Sequence, residues 1–127
     1  MLGTSPVTTI LPVVDDERAR AFYRDVLGLP YAGQSGDGKH LFSIGSGTLA
    51  LLPKPAGAQA QHTALSFEVQ DVAAAVRALS DRGAVFDDYD LPGLKTVDKV
   101  CVLGSEMAAW FRDTEGNILC VHQVIGG

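Results

Sequence analysis

The same order of elements occurs twice along the chain: a strand, a helix that begins at an aspartate, and then a series of short strands. In the first copy, residues 7–14 predict the strand and Asp15 or Asp16 caps the helix. In the second copy, residues 63–69 predict the strand and Asp71 caps the helix. Both helices carry apolar residues at the i, i+3, i+4 and i+7 spacing, which predicts that one face of each is buried. The recurring order predicts two copies of one βαβββ module.

Glycines mark the ends of both helices. The first helix runs to about residue 26 and is followed by Gly28, and the second runs to about residue 82 and is followed by Gly83. The strands predicted after the helices are 31–34, 40–44 and 48–52 in the first copy, and 85–89, 97–103, 107–112 and 118–124 in the second. Between the copies, the chain has the composition of a linker. We therefore predict one domain made of module 1–53, linker 54–61 and module 62–127.

Composition restricts the classes of partner. A net charge of −5 offers no basic surface for phosphates, which argues against nucleic acid as a partner. No apolar run approaches the roughly 18 residues of a membrane span, and the N-terminus lacks the basic and apolar regions of a signal peptide. We expect a cytoplasmic protein without membrane contact. Cys101 and Cys120 lie in apolar runs, which favours reduced core thiols over a disulfide.

The last part of the chain predicts a β-hairpin. An apolar stretch that contains Trp110 and Phe111 precedes a run of turn formers, residues 113–117, and a second apolar stretch, residues 118–122, follows. The Gly-Asn pair that ends the turn tolerates positive φ angles, so the chain can reverse there without strain.

This hairpin resembles the closing hairpin of the vicinal oxygen chelate superfamily, which includes glyoxalase I, bleomycin-resistance proteins and extradiol dioxygenases. The residues that match the family pattern are Phe111, Asp113, Glu115, Gly116 and Asn117, whereas Thr114 replaces the usual Pro. The family's metal-binding Glu stands three residues after the Asn, and here that residue is Cys120. Residues 13–29 and 67–83 are similar to the family's two helices. The resemblance therefore covers nearly the whole chain.

The resemblance implies an α+β fold in which two βαβββ modules form a curled mixed sheet around a cavity, with the helices on the outside. Family members usually pair, so it also implies a homodimer. Metal enzymes of the family hold a divalent ion with four side chains, two from each module. The matching positions of this chain are Thr8, Ala50, Ala64 and Cys120. Because none of them is a His, Gln or Glu, we expect no metal there and no other cofactor.

The same replacements would turn a chelating pocket into an apolar one. The resemblance thus implies a ligand-binding cavity for a small apolar or aromatic molecule, lined by Thr8, Ala50, Ala64, Trp110 and Cys120. Antibiotic-sequestering relatives protect the cell by binding alone, so sequestration or resistance is the leading hypothesis. Trp110 would either stack on a planar ligand or close the core.

The main alternative is an enzyme with a displaced metal site. Residues two apart on a strand share a face, so His62 would lie on the face of Ala64 and His122 on the face of Cys120. A site of His62, Cys120 and His122 would hold Zn, Ni, Fe or Mn in a glyoxalase-like lyase, isomerase or dioxygenase. Without a metal, His62, His122 and Tyr89 would supply acid and base groups.

Two roles remain open for each of two further residues, Lys95 and Cys120. Lys95 belongs to a turn, residues 91–95, that is either a flap over the pocket mouth or a solvated loop. Cys120 is a nucleophile only if a neighbour lowers its pKa, and is otherwise a buried thiol. We expect His40 at the surface. A second alternative for the whole protein is a non-catalytic structural dimer whose cavity is filled by Trp110.

Overall fold

A computed structural model of the chain describes residues 1–125. The chain divides into two compact units, Met1–Gln59 and a second unit that begins at Ala60. This boundary lies inside residues 54–61, the segment with linker composition. No helix within the described residues is long and apolar enough to cross a membrane.

The first unit is one copy of the predicted module. Its elements in chain order are β1 Thr8–Val13, α1 Asp16–Ala21, a π-helical turn Phe22–Val26, β2 Tyr31–Gln34, β3 His40–Ile44 and β4 Gly47–Pro53. The strand order is β1-β4-β3-β2, with β1 parallel to β4 and the other neighbours antiparallel. Asp15 caps α1, because its carboxylate accepts a hydrogen bond of 3.0 Å from the Arg18 N–H.

The first helix is α-helical only as far as Ala21, so the prediction of a regular helix to about residue 26 is corrected. The Leu27 N–H donates to the Phe22 carbonyl, five residues earlier, and this wider turn holds one extra residue. The adjacent Phe22 and Tyr23 are both buried, with their rings edge to face at 5.4 Å.

Alternation along the strands separates the two faces of the first sheet. Phe42 on β3 pairs with Leu49 on β4, and both side chains are fully buried on the face that the helical segment covers, where the Tyr23 ring lies 6.1 Å from Phe42. Ala50 and its partner Leu41 lie on the opposite face.

The second unit repeats the order of the first and adds one small hairpin. Its elements are β5 Thr63–Glu68, α2 Val72–Asp81, β6 Asp90–Leu91, β7 Leu94–Lys95, β8 Cys101–Leu103, β9 Glu106–Arg112 and β10 Ile118–Val124. The strand order is β5-β10-β9-β8, with β5 parallel to β10 and the other neighbours antiparallel. The Asp71 carboxylate caps α2 by accepting from the Ala74 N–H at 3.0 Å. The predicted α+β fold of two βαβββ modules is confirmed.

An interrupted edge strand distinguishes the second unit from the first. Phe86 bridges to Phe111 and Cys101 pairs with Ala108, so both segments lie along the same edge of β9. Between them, residues 88–100 leave the sheet and form the β6–β7 hairpin. We call residues 88–100 the excursion.

The excursion corrects two predicted strands. Instead of strands 85–89 and 97–103, the structure has a single bridge and the three-residue strand β8. The apolar residues of this stretch are separated by Asp87, Asp88 and Asp90, which favour turns over a sheet ladder. Alternation alone therefore overestimated the length of both strands.

The closing hairpin has the predicted turn, and a buried aspartate stabilises it. The Asp113 carboxylate accepts hydrogen bonds from the backbone N–H groups of Glu115 and Asn117, both at 2.8 Å, and from the Asn117 side-chain amide at 2.8 Å. All three residues are buried. The polar residues of the family pattern thus form the turn that joins β9 to β10.

Candidate ligand-binding site

The second sheet has one face covered by α2 and one face that bears the candidate site. Leu119 and Val121 on β10 are buried on the helix side, where the Gln123 side chain accepts from the first N–H of α2, that of Val72, at 2.9 Å. Alternation places Cys120 and His122 on the other face. In the antiparallel pairing of β9 with β10, Trp110 lies opposite Cys120, and Ala108 lies opposite His122.

An open depression of about 360 Å³ lies on this second face. Its lining residues come from three strands and from the end of β8: Thr63, Ser66, Leu103, Glu106, Ala108, Trp110, Cys120 and His122. Its volume is at the lower end of the range of small-molecule sites. The lining combines one large aromatic ring with several groups that form hydrogen bonds.

Trp110 is held in place at its two ends. The half-buried indole donates a hydrogen bond from Nε1 to Thr63 Oγ1 at 3.2 Å. The ring of Tyr89, at the start of the excursion, stands perpendicular to the indole with 5.6 Å between ring centroids. These two contacts fix the orientation of the indole without covering it, so part of its surface lines the depression.

A serine, a histidine and a glutamate follow one another along the same face. Ser66 pairs with Cys120 and Glu68 pairs with His122 in the parallel ladder between β5 and β10. The Ser66 hydroxyl lies 2.6 Å from His122 Nδ1, and the Glu68 carboxylate lies 3.7 Å from His122 Nε2. His122 is partly buried, whereas the other two residues are exposed. The imidazole therefore has a polar partner at each ring nitrogen.

The Cys120 thiol is buried and stays protonated at neutral pH. Burial raises the pKa of this thiol, and the nearby Glu106 carboxylate adds to the rise. The Ser66 hydroxyl and the Ala109 backbone, which would stabilise a thiolate, oppose it. The sulfur lies 3.4 Å from the Val121 carbonyl oxygen, to which the thiol donates. Because the thiolate is the reactive form, these surroundings favour the buried-thiol reading of Cys120 over the nucleophile reading.

The structure distributes the five predicted cavity residues between the two units. Trp110 and Cys120 face the same depression. Ala64 is the extra residue of a β-bulge, since Thr63 pairs with Ile118 and Leu65 pairs with Leu119, and its neighbour Thr63 lines the depression instead.

The remaining two predicted cavity residues belong to the first unit. Thr8 pairs with Thr48, and Ile10 pairs with Ala50, so Thr8 and Ala50 share the face of the first sheet opposite the helical segment. Thr8 is exposed and Ala50 is fully buried.

Four secondary candidates occupy different places in the second unit. His122 lines the depression, and the Tyr89 ring packs edge to face against Trp110. His62 is exposed ahead of β5, with Nδ1 3.1 Å from the Thr63 carbonyl oxygen. Lys95 lies on the excursion and lines a separate open depression of about 400 Å³ with four apolar residues, Val97, Val100, Val102 and Met107.

The positions that match the family's metal ligands do not fit a divalent ion. Two of them are alanines, which have no donor atom, and Thr8 offers only a hydroxyl. The fourth is the protonated Cys120 thiol, a poor ligand in that form. This donor set does not suit the open, oxygen- and nitrogen-rich coordination that the family's metal chemistry requires.

A cluster of ligand-type side chains occurs elsewhere, in the first unit. Among residues 1–125, the one group of three whose ligand atoms lie within 4.8 Å of one another is Asp16, Glu17 and His40. His40 Nε2 lies 3.1 Å from the Glu17 carboxylate and 3.8 Å from that of Asp16, and Nδ1 lies 2.7 Å from the Tyr31 hydroxyl. Glu17 also forms an ion pair with Arg20 at 2.9 Å. The predicted trio of His62, Cys120 and His122 does not form such a group.

The prediction that His40 lies at the surface is wrong. Its side chain is only 4% exposed, because it occupies the same face of β3 as Phe42, where the helical segment covers it. The acidic first turn of α1 and the Tyr31 hydroxyl satisfy its two ring nitrogens.

Sequence reasoning missed Thr63, Ser66 and Glu106, which line the depression, and Glu68, which lies beside His122. Alternation offered a signal, since Ser66 and Glu68 follow Ala64 at intervals of two residues on one predicted strand. Glu106 and Thr63 gave no such signal, because the first stands at a strand end and the second at a bulge.

Comparisons with known proteins agree with this architecture. The model of the Glyoxalase/Bleomycin resistance protein/Dioxygenase superfamily matches residues 5–121. TnmS3, an antibiotic-binding protein from Streptomyces sp. CB03234, is 22% identical with a TM-score of 0.69, and the alignment covers 98% of each chain. No curated protein sequence matches the chain significantly.

Two further solved structures share the fold. Lactoylglutathione lyase from Agrobacterium tumefaciens is 20% identical with a TM-score of 0.67, over 97% of this chain and 96% of that one. The fosfomycin resistance protein FosX from Listeria monocytogenes, complexed with Mn(II), is 15% identical with a TM-score of 0.68, over 100% and 93% of the two chains. At these identities, the likeness establishes the fold alone.

Proposed function

Because the chain belongs to the Glyoxalase/Bleomycin resistance protein/Dioxygenase superfamily, we propose that it binds a small aromatic molecule in the depression on its second sheet, by a mode that needs no metal ion. The observation that carries this proposal is Trp110, whose indole is fixed by Thr63 and Tyr89 while part of it lines the depression. A ring held in this way loses little conformational freedom when a planar ligand stacks on it.

One of the fold relatives supports binding without conversion as the biological role. TnmS3 is an antibiotic-binding protein, and sequestration of a toxic aromatic compound requires affinity only. The protonated state of Cys120, which lines the depression, is consistent with a site that binds by stacking and hydrogen bonds.

The test uses the chain's single tryptophan. A panel of planar aromatic compounds is titrated while Trp110 emission is recorded, and each compound that quenches the emission is then measured by calorimetry. The Trp110→Ala variant should bind these compounds at least about tenfold more weakly, because an aromatic pair contributes roughly 1 kcal/mol beyond the area that it buries.

A matched control comes from the same sheet. Val102 on β8 is 61% exposed and lies on the opposite face, so Val102→Ala removes exposed apolar surface without changing the depression. Its affinity should equal that of the unmodified protein. Equal affinity in Trp110→Ala and the unmodified protein would refute the proposed site.

A second candidate function is an enzyme with a displaced metal site, for which the cluster of Asp16, Glu17 and His40 is the supporting observation. This candidate predicts stoichiometric uptake of Zn, Ni, Mn or Fe(II) that His40→Ala abolishes and His62→Ala leaves unchanged. Calorimetric titration of each metal distinguishes it from the binding function, which predicts no such uptake.

A further inference from the structure

Ser66 occupies an unusual place for a strand serine. It is exposed on the floor of the depression, and its hydroxyl lies 2.6 Å from His122 Nδ1 on the neighbouring strand. The parallel register, which pairs Ser66 with Cys120 and Glu68 with His122, places the serine diagonally opposite the imidazole. The backbone ladder thus fixes both residues, and the contact does not depend on a flexible loop.

The direction of this hydrogen bond follows from the other side of the ring. The Glu68 carboxylate lies 3.7 Å from His122 Nε2, beyond direct hydrogen-bond distance, and its negative charge favours the tautomer with its proton on that nitrogen. Nδ1 then has only a lone pair, so the Ser66 hydroxyl donates to it. A hydroxyl whose proton is directed at an imidazole is the arrangement that activates a serine nucleophile.

The neighbouring thiol does not compete for this role. The raised pKa of Cys120 keeps its sulfur protonated, and the side chain is buried, whereas Ser66 is open to the depression. Of the two adjacent groups, the hydroxyl is therefore the one that a bound electrophile meets first.

We propose that Ser66 is a nucleophile that accepts an acyl group from small activated esters, with His122 as its general base and Glu68 as a positioning residue for the imidazole. This activity goes beyond ligand binding and does not depend on the aromatic contact with Trp110.

The reaction balances with groups that the site and solvent supply. The Ser66 oxygen forms a bond to the acyl carbon, and its proton passes to His122 Nδ1. The bond between the acyl carbon and the leaving oxygen then breaks. An alkoxide leaving group takes the proton from the imidazolium and departs as an alcohol. A phenolate departs as the stable anion, and the imidazolium releases its proton to water. In the hydrolysis step, water attacks the acyl carbon and gives a proton to His122 Nδ1. The bond from the acyl carbon to the Ser66 oxygen breaks, and that oxygen takes the proton back from Nδ1.

The experiment exposes the full-length protein to an excess of 4-nitrophenyl acetate at neutral pH and quenches samples over time. Intact-mass measurement follows the added acetyl groups, and peptide mapping locates them. We expect one acetyl group on Ser66 that forms faster than those on lysines or the N-terminus. The Ser66→Ala variant should lack it, and His122→Gln should form it about a hundredfold more slowly.

Controls separate this result from general reactivity. Ser43→Ala removes an exposed serine from β3 in the first unit and should leave the rate of Ser66 acetylation unchanged. Peptide mapping of the unmodified protein needs no variant, so the proposal stays testable even if His122→Gln folds poorly. Acetylation confined to lysines and the N-terminus, or Ser66 acetylation that proceeds equally fast in a folded His122→Gln variant, would overturn the proposal.

The positioning role of Glu68 has its own readout. Nitrogen-15 spectra of the imidazole should show Nδ1 without a proton in the unmodified protein, and Glu68→Gln should shift the population toward the other tautomer. The rate of Ser66 acetylation should fall in Glu68→Gln and recover in part in Glu68→Asp. An unchanged tautomer together with an unchanged rate in Glu68→Gln would remove Glu68 from the mechanism and leave the roles of Ser66 and His122 to be decided by the acetylation experiment.

Discussion

Asp113 shows how a single residue determines the geometry of the site. Its buried carboxylate accepts three hydrogen bonds of 2.8 Å from Glu115 and Asn117 and so closes the turn between β9 and β10. The turn fixes the register that sets Trp110 opposite Cys120 on the candidate site. We therefore expect the stability of the hairpin and the shape of the depression to depend on this carboxylate.

The corresponding prediction concerns Asp113→Ala. The change leaves buried N–H groups without their acceptor, so the free energy of unfolding should fall by about 3 kcal/mol. Urea unfolding followed by Trp110 emission measures this change in the unit that contains the turn. Asp81→Ala, which removes an exposed carboxylate at the end of α2, should change the stability by less than about 0.5 kcal/mol. A comparable loss in both variants would contradict the role of the turn.

At the residue scale, the sequence could place side chains on one face of a strand only where no bulge interrupts it. Trp110, Cys120 and His122 could be assigned to one face because strict alternation holds along β9 and β10. Ala64 could not be placed reliably, because a bulge in β5 adds one residue that no local pattern reveals. The contact between Ser66 and His122 joins strands 56 residues apart, so it becomes visible only once the parallel register is known.

At the scale of elements, the parallel pairing of β1 with β4 depends on a glycine. A Cβ atom at Gly47 would stand 2.6 Å from the Val7 carbonyl oxygen, and this oxygen accepts a hydrogen bond of 2.9 Å from the Thr48 N–H. Relief of the clash would stretch that hydrogen bond at the start of β4. The first sheet therefore tolerates no side chain at this position without a backbone shift.

Gly47→Ala should lower the stability of the protein by roughly 2 kcal/mol, the range in which overpacking of a well-packed site falls. Thermal unfolding followed by far-UV circular dichroism measures the effect. Gly36→Ala provides the matched control, since a Cβ atom there would have nothing within 4 Å. The free energy of unfolding of this variant should stay within about 1 kcal/mol of that of the unmodified protein. An equal loss in the two variants would show that the close approach at Gly47 is not the cause.

Element boundaries could be predicted wherever capping and alternation agreed. Strands β2, β3 and β10 have the predicted bounds, and the aspartate caps of both helices are confirmed. The excursion and the π-helical turn could not be predicted. The first arises where residues with turn preference interrupt an edge strand, and the second widens a helix whose apolar spacing also fits a regular α-helix.

For the whole molecule, the internal repeat carried most of the information about the fold. Both sheets have the same order and the same mixture of parallel and antiparallel pairs, as one module used twice requires. The two copies differ in chemistry, since the first contains the cluster around His40 and the second contains the depression around Trp110. The homodimer implied by the family resemblance stays a prediction, and light scattering on the purified protein would test it.

Metal-independent binding is tested most directly by calorimetry on protein that has been dialysed against EDTA. The titrant is the aromatic compound that quenches Trp110 emission most strongly, and residual metal is measured by mass spectrometry. We predict binding by the metal-stripped protein, with an affinity that stays the same after addition of Zn, Ni, Mn or Fe(II). Binding that disappears on stripping, returns with one equivalent of metal, and is lost again in His40→Ala or His122→Ala would contradict the metal-independent site and favour the enzyme.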